Sequence, residues 1–219
     1  MHTLQEFEEL IAYRYCAEEE KLYPLMSAYF QDKYGVEIQK IRYYSGENTG
    51  TFGVWLTTNR FFQQVYRQSS MDDWRLHFPA DAAEVKEIIY QQGLQGYFHI
   101  NNLYISFESF ELDALHYCYS TAFQEYKKFR DRYFNPDSME YIDSSGMFVV
   151  YKTRELMEQA AVNGEQARIR KDYYRFMQKY DTYRFIKQDK HLLVDFDYAE
   201  NARSPREYSE LYWKMLGEE

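Results

Sequence analysis

At 219 residues the chain can bury roughly 70% of its extended surface on folding, so a core needs neither a metal nor a disulfide staple. A formal net charge of -9 argues against generic coating of DNA or of an anionic membrane and is compatible with a basic partner. The only cysteines, Cys16 and Cys118, lie far apart in helical patterns and make neither a secreted disulfide framework nor a CxxC site.

Aromatic residues make up 20% of the chain, with 24 Tyr and 16 Phe. Tyrosine takes the place that Leu and Val usually fill, and its hydroxyls must be led to water or to partners, so many rings are expected where core meets surface. The same composition suits a protein-binding face.

In chain order, Thr3-Leu4-Gln5-Glu6 reads as a helix capping box, unlike the basic and then apolar start of a signal peptide. No apolar run approaches the roughly 18 residues needed to cross a bilayer, and the expected location is cytoplasmic. Phe7, Leu10, Ile11 and Tyr15 make one apolar face, continued past Pro24 by Leu22, Met26, Tyr29 and Phe30, which gives one broken helix or two consecutive ones. Gly35 fits the position that ends them, and Glu18-Glu19-Glu20 reads as a solvated face. Val36 to Tyr44 and Phe52 to Thr57 read as strands around a turn-rich loop, and Thr58 or Asn59 caps a helix carrying Phe61, Phe62, Val65 and Tyr66. Trp74, Leu76 and Phe78 alternate with Arg75 and His77 as a strand ended by Pro79. Asp81 with Glu84 resembles a capping box for a helix that stops near Gly93.

Tyr97-Phe98-His99-Ile100 and Leu103 to Phe107 flank Asn101-Asn102, a pair suited to a tight hairpin turn. From Ser109, a natural N-cap, Leu112, Leu115, Tyr119, Ala122, Phe123, Tyr126, Phe129 and Tyr133 recur at helical spacing, predicting a long central helix over about 110–134, stopped by Asn135-Pro136. Met139 to Ile142 and Met147 to Tyr151 predict a further hairpin, followed by Thr153 as cap for Arg154 to Val162. Beyond Gly164, the residues Ile169, Tyr173, Phe176, Met177 and Tyr180 keep core spacing. A last hairpin is expected between Tyr183 to Lys187 and His191 to Phe196, and Ser204, Pro205 and Glu207 make a helix start.

Segments beginning near Val36, Tyr97, Met139 and Tyr183 share the order strand, turn, strand, cap, helix. The closest pair is Leu103 to Ser109 against Met147 to Thr153. The expected fold is therefore α+β: a mostly antiparallel sheet built from hairpin–helix (ββα) units with helices packed on it. Residues 1–219 are expected to form one domain, or two tightly packed lobes, 1–135 and 136–219.

Signals for chemistry are sparse. No two of the histidines at 2, 77, 99, 116 and 191 stand at i, i+4 spacing, and His116 and Cys118 diverge by about 200° on a helix. No nucleotide-binding, zinc or nucleophile-elbow motif occurs, so no cofactor and no metal are expected. Asp195 and Asp197 share one strand face and are the best carboxylate pair for a divalent ion or for hydrolysis. Glu47 and Asn48 occupy the tip of a glycine-rich loop, where they can meet a partner. Between Arg168 and Lys190, eight basic residues stand against three aspartates with aromatic residues interleaved, as on single-strand nucleic-acid surfaces. Arg168, Lys171, Arg175 and Lys179 carry that reading; the alternative is an amphipathic helix whose rings are core.

Acidic surplus, abundant amphipathic rings and the lack of a catalytic motif lead to one functional expectation. It is a non-enzymatic cytoplasmic protein that occludes a macromolecule, a protein partner of basic character, as an immunity protein neutralises a toxin. A nucleic-acid-associated protein using residues 168–190 and a hydrolase with dispersed carboxylates are the competing readings. Oligomeric state has no signature in the residues.

Overall fold

The computed structural model describes residues 3–69, 78–142, 148–186, 194–204 and 207. The chain divides into two compact units, Met1–Asp113 and Ala114–Glu219. The first contains α1 (Leu4–Ala12), α2 (Ala17–Tyr34), β1 (Ile38–Ser45), β2 (Gly50–Leu56), α3 (Asn59–Gln68), α4 (Pro79–Gln91) and β3 (Leu103–Ser109). The division falls within the first turn of α5 (Phe110–Tyr133), which is 24 residues long. The second unit continues with β4 (Met139–Ile142), β5 (Phe148–Tyr151), α6 (Arg154–Val162), α7 (Glu165–Met177) and β6 (Asp195–Tyr198). Among the described residues no helix is long and apolar enough to cross a membrane.

Local chemistry sets most element boundaries. Thr3 and Glu6 close a reciprocal capping box on α1, and Gly35 ends α2 in the left-handed region at φ 67°. The break between α1 and α2 falls at residues 13–16, while Pro24 sits inside α2. A proline in a helix interior costs about 3 kcal/mol. Leu22, Met26 and Phe30 around it are fully buried, each contributing about 1.5–3 kcal/mol, and that burial outweighs the proline. Glu19 departs from its expected place on a solvated face. It is 2% exposed, and its carboxylate accepts from the Tyr13 hydroxyl (2.6 Å), the Cys16 N–H (3.0 Å) and the Tyr43 N–H (3.2 Å).

In the first unit β2 is the middle strand, antiparallel to β1 and parallel to β3. One sheet face packs Ile41, Phe52, Val54, Leu56, Ile105 and Phe107 against a helical layer that includes Met26, Phe30, Val85 and Ile89. The outer edge of β1 is occupied by side chains: Ile41 N–H donates to the Tyr15 hydroxyl (3.0 Å), Tyr43 N–H to Glu19, and the Ile38 carbonyl accepts from the Tyr23 hydroxyl (2.9 Å).

The hairpin expected across Asn101-Asn102 does not form. Phe98 and Ile100 alternate with Tyr97 and His99 as the pattern suggests, but Phe98 packs into the core, its ring 5.0 Å from that of Tyr43 and 5.3 Å from that of Phe52. The crossover through α3 and α4 is long enough to lay β3 beside β2 instead, in register from Gly50 opposite Leu103 to Leu56 opposite Ser109. Each sheet is therefore mixed rather than mostly antiparallel. The candidate strand ending at Phe78 lies largely outside the described residues. Phe78 itself is the left-handed N-cap of α4 at φ 52°, with Pro79 as the first helical residue. Asp81 is thus no cap; it is buried and accepts from Tyr29 (2.9 Å), Lys33 (2.8 Å) and Tyr34 (2.9 Å).

In the second unit β5 is the middle strand, antiparallel to β4 and parallel to β6. Val149, Val150, Tyr151, Ile169, Tyr173 and Met177 are buried there. The turn of the expected last hairpin lies outside the described residues. Tyr183 to Ile186 form no strand, with Arg184 at φ 59°, and β6 finds its partner in β5.

Among the described residues each unit, taken by itself, runs from a helix into an antiparallel hairpin, then crossover helices, then a third strand parallel to the second. The helix before the hairpin ends in Phe30-Gln31-Asp32-Lys33-Tyr34 in one case and Phe129-Arg130-Asp131-Arg132-Tyr133 in the other. Tyr34 donates to Asp81 on α4, and Tyr133 donates to Asp172 on α7 at 2.6 Å. Thr58 and Thr153 cap the helix after each hairpin, and Ser109 and Ser204 each accept from the N–H three residues on, after each third strand. By this shared order of elements β2 corresponds to β5 and β3 to β6, a correspondence of topology. The sequence pairing of Leu103 to Ser109 with Met147 to Thr153 crosses it.

Candidate recognition cleft

The outer face of the first sheet is built by strand alternation. With Ile41 and Tyr43 turned to the helices, Lys40, Arg42 and Tyr44 project from the opposite face of β1. Registers carry three rows across the sheet: Lys40, Trp55 and Glu108; Arg42, Gly53 and Ser106; Tyr44, Thr51 and Tyr104.

Helix α1 is fastened over one end of this face. The Lys40 ammonium donates to the carbonyls of Leu10, Ile11 (3.4 Å) and Tyr13 (2.9 Å), where the last turn of α1 leaves its acceptors open. Burial and the neighbouring Arg42 both lower the Lys40 pKa. Phe7, buried on α1, meets the ring of Phe110 at 5.6 Å.

Between α1 and the sheet lies a cleft of about 330 Å³, lined by Glu6 and Glu9 from α1, Arg42 and Tyr44 from β1, Gly53 and Trp55 from β2, and Ser106 and Glu108 from β3. The Arg42 guanidinium sits 5.0 Å from the ring centres of both Tyr13 and Tyr44. The Trp55 ring leans back over Gly53, where a Cβ would meet it at 2.7 Å and the Tyr44 ring at 3.3 Å. Trp55 Nε1 donates to Asp113 at 3.1 Å, which fixes the other end of that ring. Glu6 also serves the α1 cap, and Glu9 accepts from Gln5 at 3.0 Å. Burial raises the Tyr44 pKa; Arg42 opposes that shift, and Glu108 and Glu6 add to it. Three carboxylates against one guanidinium leave the cleft net negative.

The residues singled out from sequence lie elsewhere. Glu47 and Asn48 are exposed on the loop between β1 and β2, with the Asn48 carbonyl accepting from Asn102 at 3.0 Å. Arg168, Lys171 and Arg175 are exposed along α7 and Lys179 just beyond it, while Ile169, Tyr173, Phe176 and Met177 are buried. The rings interleaved in sequence are thus separated from those charges in space. Arg175 pairs with Asp172 at 3.7 Å, and Arg170 lies over the Phe196 ring at 4.8 Å. Asp195 and Asp197 turn back on their own strand, accepting from the N–H of Phe196 and of Tyr198, both at 2.9 Å. Among the described residues no three His, Cys, Asp or Glu side chains converge to hold a metal ion.

Sequence reasoning missed the cleft because its walls come from α1 and from three strands. The one local signal was Trp55 between Val54 and Leu56, a strand with no polar face and therefore covered on both sides. Comparison of the chain with protein-family models, with curated proteins and with solved structures found no match in any of the three.

Proposed function

We propose that the chain is a binding protein that occludes another macromolecule, most concretely an immunity-type protein neutralising a toxin, and that the cleft over the first sheet receives a cationic side chain of that partner. The observation that carries this reading is the lining itself: Glu6, Glu9 and Glu108 outnumber Arg42 around a depression walled by Tyr44 and Trp55. A lysine or arginine entering it gains charge-assisted hydrogen bonds, each contributing about 1.5–3 kcal/mol, in a partly desolvated setting. The Tyr44 ring, exposed at the cleft, adds area of the kind that dominates protein interfaces. The formal net charge of -9 steers a basic partner toward the chain.

The test is co-expression. Each neighbouring reading frame is expressed in a host with and without this chain, and growth is followed. Relief of toxicity by the wild type, lost in a Glu9→Lys/Glu108→Lys double variant and kept in Glu87→Lys on the exposed side of α4, supports the reading. Failure of the wild type to relieve any toxicity, or full relief by the double variant, overturns it.

A further inference from the structure

The second unit holds a separate concavity of different character. His116 and Ser120, and Tyr119 and Phe123, pair at four-residue spacing along α5 and, with Tyr173 and Met177 of α7, line a cavity of about 380 Å³. No carboxylate, lysine or arginine lines it among the described residues.

Tyr173 sets this cavity apart. It is 2% exposed, and its ring is fixed by Tyr126, Phe129 and Phe176 at 6.1, 5.8 and 6.3 Å. Other buried tyrosines have placed their hydroxyls: Tyr34 on Asp81 at 2.9 Å and Tyr151 on Glu165 at 3.2 Å. The Tyr173 hydroxyl makes no hydrogen bond among the described residues, although the side chain lines the cavity. Among the described residues the Tyr173 hydroxyl is not a fully enclosed polar atom, so it opens to the cavity. Burial holds its phenol well above the usual tyrosine range, with Tyr119, Tyr126 and Cys118 adding to the shift, so it remains a donor. Phe123, 57% exposed, offers a flat apolar face at the same cavity.

We propose that this cavity binds a neutral planar heteroaromatic molecule of the nucleobase class, stacked on Phe123 and hydrogen-bonded along its edge by the Tyr173 hydroxyl, Ser120 and His116. Aromatic walls select a flat ring. The uncharged lining disfavours phosphates, and the volume lies near the lower end for ligand pockets, enough for a nucleoside but small for a dinucleotide.

The full chain is titrated calorimetrically with adenosine, guanosine, cytidine and uridine. Saturable binding of at least one is expected, weakened about tenfold in Tyr173→Phe, which keeps the ring and removes only the donor. Phe123→Ala, at an exposed position, also weakens it without shifting the thermal midpoint. The Glu9→Lys/Glu108→Lys variant binds the nucleoside as the wild type does, which keeps this result separate from the fate of the macromolecular reading. Absence of binding for all four nucleosides at millimolar concentration, or undiminished binding in both Tyr173→Phe and Phe123→Ala, overturns the proposal.

Discussion

Replacing Gly53 by alanine tests how the cleft is assembled. The added methyl group falls 2.7 Å from Trp55 Cζ3 and 2.8 Å from Cη2, closer than carbon atoms approach without displacement. Trp55 is 1% exposed and tied to Asp113 at 3.1 Å, so it cannot yield by a simple rotation into solvent. Overpacking of this kind costs about 1–3 kcal/mol. If the ring swings far enough to break its hydrogen bond to a carboxylate, about 1.5–3 kcal/mol more is lost. A total of about 2.5–6 kcal/mol corresponds to a fall of roughly 5–24 °C in thermal midpoint for a chain of this size. The assay is thermal unfolding followed by tryptophan-selective fluorescence in a Trp74→Phe/Trp213→Phe background, so that Trp55 is the sole tryptophan. A lower midpoint with red-shifted native emission is expected. A wild-type midpoint and unshifted emission would show that Trp55 does not lie over Gly53 as described.

Two further outcomes follow from the two tyrosine–aspartate ties and from a half-buried phenol and a buried thiol. Asp81→Ala strands Lys33 and two tyrosine hydroxyls around a side chain that is 2% exposed, and should cost about 3–5 kcal/mol. Asp172→Ala, at an aspartate 28% exposed, should cost about 1 kcal/mol; equal urea midpoints for the two variants would contradict the burial argument. Tyr15 is pushed up to about 12 chiefly by burial, with the Ile41 N–H opposing, and Cys118 is pushed up to about 12 by burial and then by Asp181. Both are acids that keep their protons longer when folded than the unfolded reference values of 10.0 and 9.0 allow. Their contribution to stability is therefore whole below about pH 9 and is lost as pH rises toward 12. Urea midpoints that stay constant from pH 8 to pH 11.5 would refute it.

What the residues disclosed in advance was local. Thr3, Thr58 and Thr153 announce helix starts through hydroxyls that reach only three residues ahead, and Gly35 announces a stop through its own φ, so each could be found by inspection. The partner of β3 depended on where the α3–α4 crossover returns, which no window of ten residues contains. Asp81 resembled a cap because Glu84 stands three residues on, yet Pro79 had already opened the helix and three donors from α2 claimed the carboxylate. Glu19 sat in an acidic run that suggested water; Tyr13 and Tyr43 placed it in the interior. The cleft needed Glu6 and Glu9 beside Glu108, an adjacency that exists only once Lys40 has anchored α1 to the sheet.

The side chains bound along the rim of β1 bear on how the molecule behaves in concentrated solution. A bare outermost strand offers its amides to any extended chain that drifts past, and self-propagating fibrils can begin there. Tyr15 and Glu19 already hold the Ile41 and Tyr43 amides, so a newcomer would first have to evict a carboxylate from the interior. Accretion of further copies through that margin is thereby discouraged by residues of the same fold that shapes the cleft.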